Sequence, residues 1–273
     1  MQPAPIFSMQ GVTYSYQGAT APAVTGVDLE VNPGEWLALV GANGSGKSTL
    51  AKICNALQIP TQGVCRVMGL DSSDPANTGE IRRNVALVFQ NPEDQIVASI
   101  VEEDVAFGPE NLGLPSGEIQ IRVDRALELT GLLEYRGRGS SSLSGGQKQR
   151  LALAGALAMS PCALVLDEST SMLDPEGRES FLGCIGELNA QGMTIVQITH
   201  RMEEAVRAGR IAVMERGRVV WDGAPELFFG GEYLRWGFEE PLEFALHREL
   251  LARGILPGAT LPVAEDMLRS LCL

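Results

Sequence analysis

The feature that most constrains this chain is a glycine-rich segment, Gly-Ala-Asn-Gly-Ser-Gly-Lys-Ser-Thr, at positions 41–49. An apolar run at 36–40 precedes it and reads as a buried strand, and the segment 50–57 that follows reads as a helix. Strand, glycine loop and helix are the context that a G-x-x-x-x-G-K-[ST] phosphate-binding loop requires. The alternative is a glycine-rich turn that matches this pattern by chance.

A phosphate loop works because its main chain can approach a polyphosphate closely. Glycine tolerates backbone angles that other residues resist, and the backbone N–H groups then point at the phosphate oxygens, near the positive end of the following helix. In this interpretation Lys47 reaches the β and γ phosphates, and Ser48 offers its hydroxyl group to Mg²⁺.

Composition narrows the class of protein. A chain of 273 residues with 45% apolar residues suits one large α/β domain with an appendage, or two small domains. The formal charge of −13 argues against a broad nucleic-acid surface, so we expect no nucleic-acid partner.

Five widely spaced cysteines indicate buried thiols in a reducing compartment, not a disulfide or zinc set. We expect neither a signal peptide nor a membrane span, because no basic and apolar leader and no run of about 18 apolar residues occurs.

The order of predicted elements indicates an α/β sheet interrupted by helices. Segments predicted as strands are 6–16 (an edge strand), 26–31, 36–40, 64–68, 85–89, 162–166 and 194–199, followed by a hairpin of 211–214 and 218–221. Between about 91 and 160 the strand signals stop. Helices are predicted at 102–108 and 118–130, with a loop at 109–115 between them. We expect this stretch to be a helical subdomain inserted into the core domain.

Two acids, Asp167 and Glu168, follow the buried strand 162–166 directly. In a phosphate-loop protein the first acid commonly holds Mg²⁺, through Ser48 or water, and the second can polarise an attacking water molecule. The sequence therefore predicts a metal-positioning role for Asp167 and a base role for Glu168, conditional on the phosphate loop.

Three further residues have a functional interpretation beside a structural one. Gln90 ends a buried strand, where α/β sheets place their ligands, and could order a water molecule or Mg²⁺, or could simply end the strand. His200 stands just past the strand 194–199, beside the expected γ-phosphate, although a lone histidine is more often a structural hydrogen-bonding residue. Tyr16 could stack on a purine base or be an ordinary strand tyrosine.

A capping box is predicted at Ser144 and Gln147, which would start a helix running to about residue 159. Gly145 and Gly146 between them leave bare N–H groups that could bind an anion. Capping and phosphate binding use the same helix end, so both interpretations can hold.

Six motifs between residues 6 and 230, taken together, resemble the ATP-binding subunits of ABC transporters. The motifs are the phosphate loop at 41–49, Gln90, Leu-Ser-Gly-Gly-Gln at 143–147, Leu-Asp-Glu at 166–168, Leu-Asp at 173–174 and His200. The resemblance implies a P-loop NTPase core with an antiparallel β edge, an inserted helical subdomain and a short C-terminal helical extension at 231–273.

The resemblance also implies a role for each matching residue. Tyr16 matches the adenine-stacking aromatic, Glu168 the catalytic base and His200 the γ-phosphate switch. Metal positions match Ser48, Gln90 and Asp167, and Gln90 and Lys47 count among the catalytic groups. The implied nucleotide-binding residues are Tyr16, Gly41, Asn43, Gly44, Ser45, Gly46, Lys47, Ser48 and Thr49, together with Ser144, Gly145, Gly146, Gln147 and Asp174. The segment from Ser144 to Gln147 matches the signature that closes over ATP held by a partner subunit.

A narrower likeness lies in two segments, Gln-Asn-Pro-Glu-Asp-Gln at 90–95 and Val-Glu-Glu-Asp-Val-Ala-Phe-Gly-Pro-Glu-Asn at 101–111. They look like the ATPases of energy-coupling factor transporters, which import vitamins and transition-metal ions. In that family two ATPases, alike or different, lie under a transmembrane coupling protein that serves substrate-binding membrane subunits. The likeness implies contact with the coupling protein near residues 91–111, and a place on the cytoplasmic face of the membrane.

Two positions depart from the family pattern. Arg201 follows the switch histidine where an acid is common, and Gly139 stands where a proline often precedes the signature. Neither removes a catalytic group, so the sequence predicts an active ATPase that uses ATP and Mg²⁺. Other classes stay open at this point, namely an ATPase of another ABC transporter, a non-transport ABC-type ATPase, and an ATP-dependent regulator with little hydrolysis.

Overall fold

The structure, a computed structural model, describes residues 4–253. Within that range the strands are β1 (Phe7–Tyr14), β2 (Val24–Val31), β3 (Trp36–Val40), β4 (Gln62–Val67), β5 (Leu70–Asp71), β6 (Val85–Val88), β7 (Ala163–Asp167), β8 (Thr194–Ile198), β9 (Arg210–Glu215) and β10 (Arg218–Gly223). The helices are α1 (Lys47–Cys54), α2 (Thr78–Asn84), α3 (Val101–Asn111), α4 (Ser116–Leu129), α5 (Gly145–Ala158), α6 (Pro175–Ala190), α7 (Met202–Ala205), α8 (Pro225–Phe229) and α9 (Leu242–Ala252).

Two sheets form the core. The larger sheet has the order β10-β9-β3-β8-β7-β6, in which every neighbouring pair is parallel except β9 and β10. The smaller sheet has the order β2-β1-β4-β5 and is antiparallel. The predicted α/β fold with an antiparallel β part is therefore confirmed.

The prediction that β1 is an edge strand is wrong. β1 pairs with β2 on one side and with β4 on the other, so it lies inside the smaller sheet. Its side chains Phe7, Met9 and Val12 are buried, which is the pattern of an interior strand with one face on the core. β1 also ends at Tyr14, so Tyr16 lies in the following loop.

Strand β3 separates two apolar clusters. Leu37 and Leu39 pack with α1 and the smaller sheet, whereas Ala38 and Val40 pack with the helices on the other face. All five side chains of β3 are buried, as expected of a parallel strand covered on both faces. This central position fixes the strand that leads directly into the phosphate loop.

The segment between β6 and β7 is helical, as predicted, and its helices α3, α4 and α5 contact one another. The predicted loop at 109–115 begins too early, because α3 continues to Asn111 with Pro109 inside it. Pro109 is buried and lies in the last turn, where a proline removes one helical hydrogen bond and packing offsets the loss. The strand β5 and the helix α2 were not predicted, and both lie in or next to the segment taken as a polar loop.

The described part of the C-terminal extension packs on the core. Phe228 of α8 is the centre of an aromatic cluster that contacts the rings of Trp221, Phe229, Tyr233, Trp236 and Phe238. The helix predicted at 242–253 is confirmed as α9, and the helix predicted at 263–271 lies outside the described residues. Across residues 4–253, no helix combines the length and the apolar content that crossing a bilayer would require.

Candidate active site

The phosphate loop depends on glycine at two positions where backbones meet closely. At Gly46, which has φ +106°, a Cβ atom would lie 2.3 Å from the carbonyl oxygen of Ala23. At Gly41, a Cβ atom would lie 2.2 Å from the carbonyl oxygen of Met214. Helix α1 starts at Lys47, directly after Gly46, so the N–H groups of its first turn face the loop.

Lys47 folds back over the loop that carries it. Its Nζ donates hydrogen bonds to the carbonyl oxygens of Gly41 at 2.8 Å and of Ala42 at 2.9 Å. Burial lowers the pKa of the Lys47 amine, and the negative charges of Glu168 and Asp167 partly offset this effect. The ammonium group is thus held at the rim of the loop, where an incoming phosphate can replace a carbonyl partner.

Ser48 and Asp167 join the phosphate loop to the end of β7. The Ser48 hydroxyl donates a hydrogen bond of 2.8 Å to Oδ1 of Asp167. Burial raises the pKa of Asp167, and the bond from Ser48 acts in the opposite direction. The two residues predicted to share a metal ion are therefore in contact, as their placement in sequence indicated.

Glu168 has a backbone conformation that few side chains adopt. Its φ is +47°, and its N–H donates to the carbonyl oxygen of Ile198 at 3.1 Å, which ties the turn to the neighbouring strand β8. Such strained conformations persist where the surrounding structure enforces them, often at functional sites. The Glu168 side chain lines the same cleft as the phosphate-loop residues Lys47 and Ser48.

The Glu168 carboxylate meets two of the three other predicted catalytic side chains, Gln90 and His200. Nε2 of Gln90 donates to its Oε2 at 3.2 Å, and Nδ1 of His200 lies 3.4 Å from the same oxygen. Gln90 follows β6, Glu168 follows β7 and His200 follows β8, and these strands are neighbours in the sheet. Parallel strands bring their carboxyl ends to one edge, which explains the convergence.

Tyr16 lies at the opposite side of the loop. Its hydroxyl group is 3.1 Å from Oγ1 of Thr49, and its ring packs edge-to-face on Tyr14 with the ring centres 5.0 Å apart. A cleft of about 420 Å³ runs between this ring and Glu168. The cleft is lined by Tyr16, Ala23, Asn43, Gly44, Gly46, Lys47, Ser48, Thr49, Gln90 and Glu168. Ala23 was not predicted, since its contribution is a backbone position with no side-chain signal.

The predicted capping box at residues 144–147 lies outside the phosphate-loop cleft. Ser144 and Gln147 form the predicted capping box, with Gln147 N–H donating to Ser144 Oγ at 3.3 Å and Ser144 N–H donating to Gln147 Oε1 at 2.9 Å. Asp174 caps α6 by accepting from the Gly177 N–H at 2.9 Å. Within residues 4–253, neither Asp174 nor any residue from Ser144 to Gln147 lines the phosphate-loop cleft.

A buried polar cluster behind the site was not predicted. Glu204 of α7 is 1% exposed and accepts hydrogen bonds from Thr170, Gln197 and Thr199. In the sequence Glu204 is one of two adjacent acids in a short helix, where acids ordinarily face water, so nothing there marked it as buried.

The fold and this site define a P-loop ATPase of the ATP-binding cassette type. The family model described as "ABC transporter" matches residues 24–171 of the chain. Among curated proteins, the chain is 49% identical to the "Energy-coupling factor transporter ATP-binding protein EcfA1" of Symbiobacterium thermophilum, over 98% of this chain and 97% of that protein. It is 46% identical to the protein of the same name from Clostridium novyi, over 96% of each. The chain therefore belongs to the ATP-binding proteins of energy-coupling factor transporters, within the ABC transporter family.

Solved structures agree with this assignment. The structure of cbiO1 from Clostridium perfringens, part of the ABC transporter complex cbiONQ, has a TM-score of 0.77 and 33% identity, covering 85% of this chain and 93% of that one. A dimer of the ATP-binding cassette MJ0796, bound to ADP and Pi in a post-hydrolysis state, has a TM-score of 0.74 and 28% identity, covering 80% and 98%. The chain is thus similar to a cassette whose solved structure is a dimer with bound ADP and Pi.

Proposed function

We propose that this chain hydrolyses ATP as one half of a head-to-tail ATPase dimer, and that the dimer powers micronutrient import by an energy-coupling factor transporter. The micronutrient would be a vitamin or a transition-metal ion. The observation that carries the proposal is the contact of Glu168 with both Gln90 and His200, on the same cleft as Lys47. This arrangement supports in-line attack on a γ-phosphate by a water molecule that Glu168 polarises.

Three oxygen-bearing side chains near the end of β7 fit Mg²⁺. The Ser48 hydroxyl, the Asp167 carboxylate and the amide oxygen of Gln90 are hard oxygen donors, which Mg²⁺ prefers together with phosphate oxygens and water. Bound Mg²⁺ would neutralise charge on the β and γ phosphates. Lys47 would add to that neutralisation, and Glu168 would orient the water.

A second copy, or a related ATPase, would complete the site. The signature from Ser144 to Gln147 carries a capped helix start but lies outside the cleft of its own chain. In a head-to-tail pair this helix start would face the γ-phosphate held by the partner subunit's loop. ATP binding would then favour closure, and hydrolysis would permit reopening.

A groove beside Gln90 supports contact with a transmembrane coupling protein. It measures about 340 Å³ and lies between the core sheet and the helical segment, with Phe89, Gln95, Val97 and Phe107 among its lining. Val97 is 61% exposed and Phe107 49%, so two large apolar side chains face outward there. Contact at this groove would place the chain on the cytoplasmic face of the membrane, and the substrate-binding membrane subunits would be reached only through the coupling protein.

Sedimentation of the full chain tests the head-to-tail arrangement. We expect Glu168→Gln, which should bind ATP without consuming it, to shift from monomer to dimer when Mg²⁺ and ATP are added. The double variant Glu168→Gln/Ser144→Arg should stay monomeric and still bind ATP, because the signature would no longer fit over the partner's nucleotide. Ser116→Arg, at the exposed start of α4, is the matched control and should still dimerise. Dimerisation that survives Ser144→Arg would contradict the arrangement.

A further inference from the structure

The buried carboxylate of Glu204 lies behind the site, at the junction of several elements that carry it. Oε1 accepts a hydrogen bond of 2.6 Å from the Thr170 hydroxyl, in the loop that follows Glu168. Oε2 accepts from the Thr199 hydroxyl at 2.8 Å and from Nε2 of Gln197 at 3.1 Å, both at the end of β8. All of these side chains are at most 4% exposed, so water does not compete for the bonds.

Neighbouring groups support the direction of the hydrogen bonds at Oε2. The indole N–H of Trp36 can only donate, and it donates to Oε1 of Gln197 at 3.1 Å, so the Gln197 amide nitrogen must face Glu204. The backbone N–H of Arg201 donates to Oγ1 of Thr199 at 3.0 Å, and the hydroxyl hydrogen of Thr199 is left to donate to Glu204. Oε2 therefore accepts two hydrogen bonds.

Two guanidinium groups lie near the other oxygen of Glu204, Oε1. Nε of Arg178 lies 3.8 Å from Oε1, and Nε of Arg201 lies 4.0 Å from the same oxygen. Both Nε atoms are buried without a hydrogen-bond partner, so their contribution at these distances is charge and not a hydrogen bond. Arg201 is the residue that departs from the acid common after the switch histidine, and the structure directs it to this carboxylate.

From these contacts we infer that Glu204 is a positioning residue for ATP hydrolysis, which sets the separation of Glu168 and His200. Thr170 is two residues after Glu168, and Thr199 is the residue before His200, so one carboxylate holds both segments from behind. The inference rests on the proposed function, because it assigns a consequence to the contact between Glu168 and His200. Loss of the carboxylate would let the two segments shift independently, and misplacement by about 1 Å can lower a rate by about 10²-fold.

The test compares Glu204→Gln with Glu203→Gln in the full chain, purified in the assembly that it forms. Glu203 is the adjacent residue of α7 and is exposed, so it controls for loss of a carboxylate from this helix. We expect Glu204→Gln to lower kcat by about 10-fold to 100-fold, with KM for ATP within about twofold of wild type. Glu203→Gln should match wild type. A wild-type kcat in Glu204→Gln, or a kcat loss accompanied by an equal loss of ATP affinity, would overturn the inference.

A double-mutant comparison separates positioning from general loosening. If Glu204 acts through His200, Glu204→Gln should lower kcat much less in a His200→Ala background than in wild type, because coupled residues are not additive. If Glu204→Gln lowers kcat by the same factor in the His200→Ala background as in wild type, the inference is overturned. If Glu204→Gln does not fold, Thr170→Val repeats the test with the same expectations. This variant keeps the side-chain volume at position 170 and the carboxylate of Glu204.

The proposed function is checked separately in the same series. Wild-type turnover in Glu168→Gln would contradict the catalytic assignment itself. An inactive Glu168→Gln beside a fully active Glu204→Gln would overturn only the inference about Glu204.

Discussion

Nδ1 of His200 lies 3.4 Å from Oε2 of Glu168, across the ends of two neighbouring parallel strands. The same oxygen accepts a hydrogen bond from Gln90, which follows the next strand in the sheet. A carboxylate with an imidazole and an amide beside it can hold a water molecule in a defined orientation. This three-residue contact is the chemical centre of the proposed ATPase, and Lys47 and Ser48 mark where the phosphates would lie.

Replacing the carboxylate tests the base assignment. We expect Glu168→Gln to bind ATP like wild type and to lose turnover by about 10²–10³-fold, the effect of removing one positioned catalytic group. The measurement is phosphate release at saturating ATP, with binding followed separately by a fluorescent nucleotide. Glu80→Gln, an exposed glutamate in α2, should leave both unchanged. Near-normal turnover in Glu168→Gln would refute the role of Glu168.

Lys47 is expected to act earlier, in nucleotide binding. Lys47→Met keeps much of the side-chain length but removes the ammonium group that now contacts Gly41 and Ala42. We expect ATP affinity to fall by at least about 10-fold, since a hydrogen bond to a charged group contributes about 1.5–3 kcal/mol. Calorimetric titration measures this, with Lys52→Met on the same helix as the control. Unchanged affinity in Lys47→Met would contradict the phosphate-loop assignment.

We expect the buried carboxylate of Asp167 to lower the stability of the folded chain at pH 7, although the proposed Mg²⁺ site needs it. Burial raises its pKa in the folded, nucleotide-free chain, so folding favours the protonated form. The associated stabilisation is complete below the unfolded pKa of about 3.9 and is lost as pH rises through the higher folded pKa. At pH 7 the buried anion is therefore unfavourable, and Asp167→Asn should raise Tm by about 2–4 °C, the shift that about 1 kcal/mol produces.

The pH dependence of that difference provides the check. Thermal unfolding without nucleotide should show the advantage of Asp167→Asn shrinking as pH is lowered toward about 4, where wild-type Asp167 binds its proton. The same variant should lose Mg²⁺-dependent ATP hydrolysis. A variant that is less stable than wild type at pH 7 would contradict the account of a desolvated carboxylate.

Much of this site follows from sequence, for identifiable reasons. The phosphate loop and the acids Asp167 and Glu168 directly follow strands with clear apolar runs. Their place at the carboxyl ends of the parallel strands could therefore be predicted. The direct contacts of Glu168 could not, because they depend on strand order and on a backbone φ of +47° that no local pattern encodes. Glu204 was missed because its burial arises from packing of α7 against distant segments, which leaves no periodic signal.

Backbone packing explains the glycine at position 46 better than flexibility alone. Gly46→Ala would place a Cβ atom 2.3 Å from the Ala23 carbonyl oxygen, whereas a Cβ atom at Gly44 would meet nothing within 4 Å. Both glycines have positive φ, so both alanines carry a similar strain of about 1–2 kcal/mol. We expect Gly46→Ala to lower Tm clearly more than Gly44→Ala in thermal unfolding. Equal losses in the two variants would show that the contact with Ala23 is unimportant.

The most direct measurement is to identify what the chain binds in its own membranes. A tagged full chain should be purified from solubilised host membranes and its partners identified by mass spectrometry, beside a Val97→Asp variant that places a charge in the exposed groove. We expect a polytopic coupling protein with the wild-type chain, accompanied by an ATPase partner and small substrate-binding membrane proteins. We expect Val97→Asp to lose the membrane proteins and to retain ATP binding. Recovery of the wild-type chain only from the soluble fraction, or with ribosomes or DNA, would contradict the proposed function.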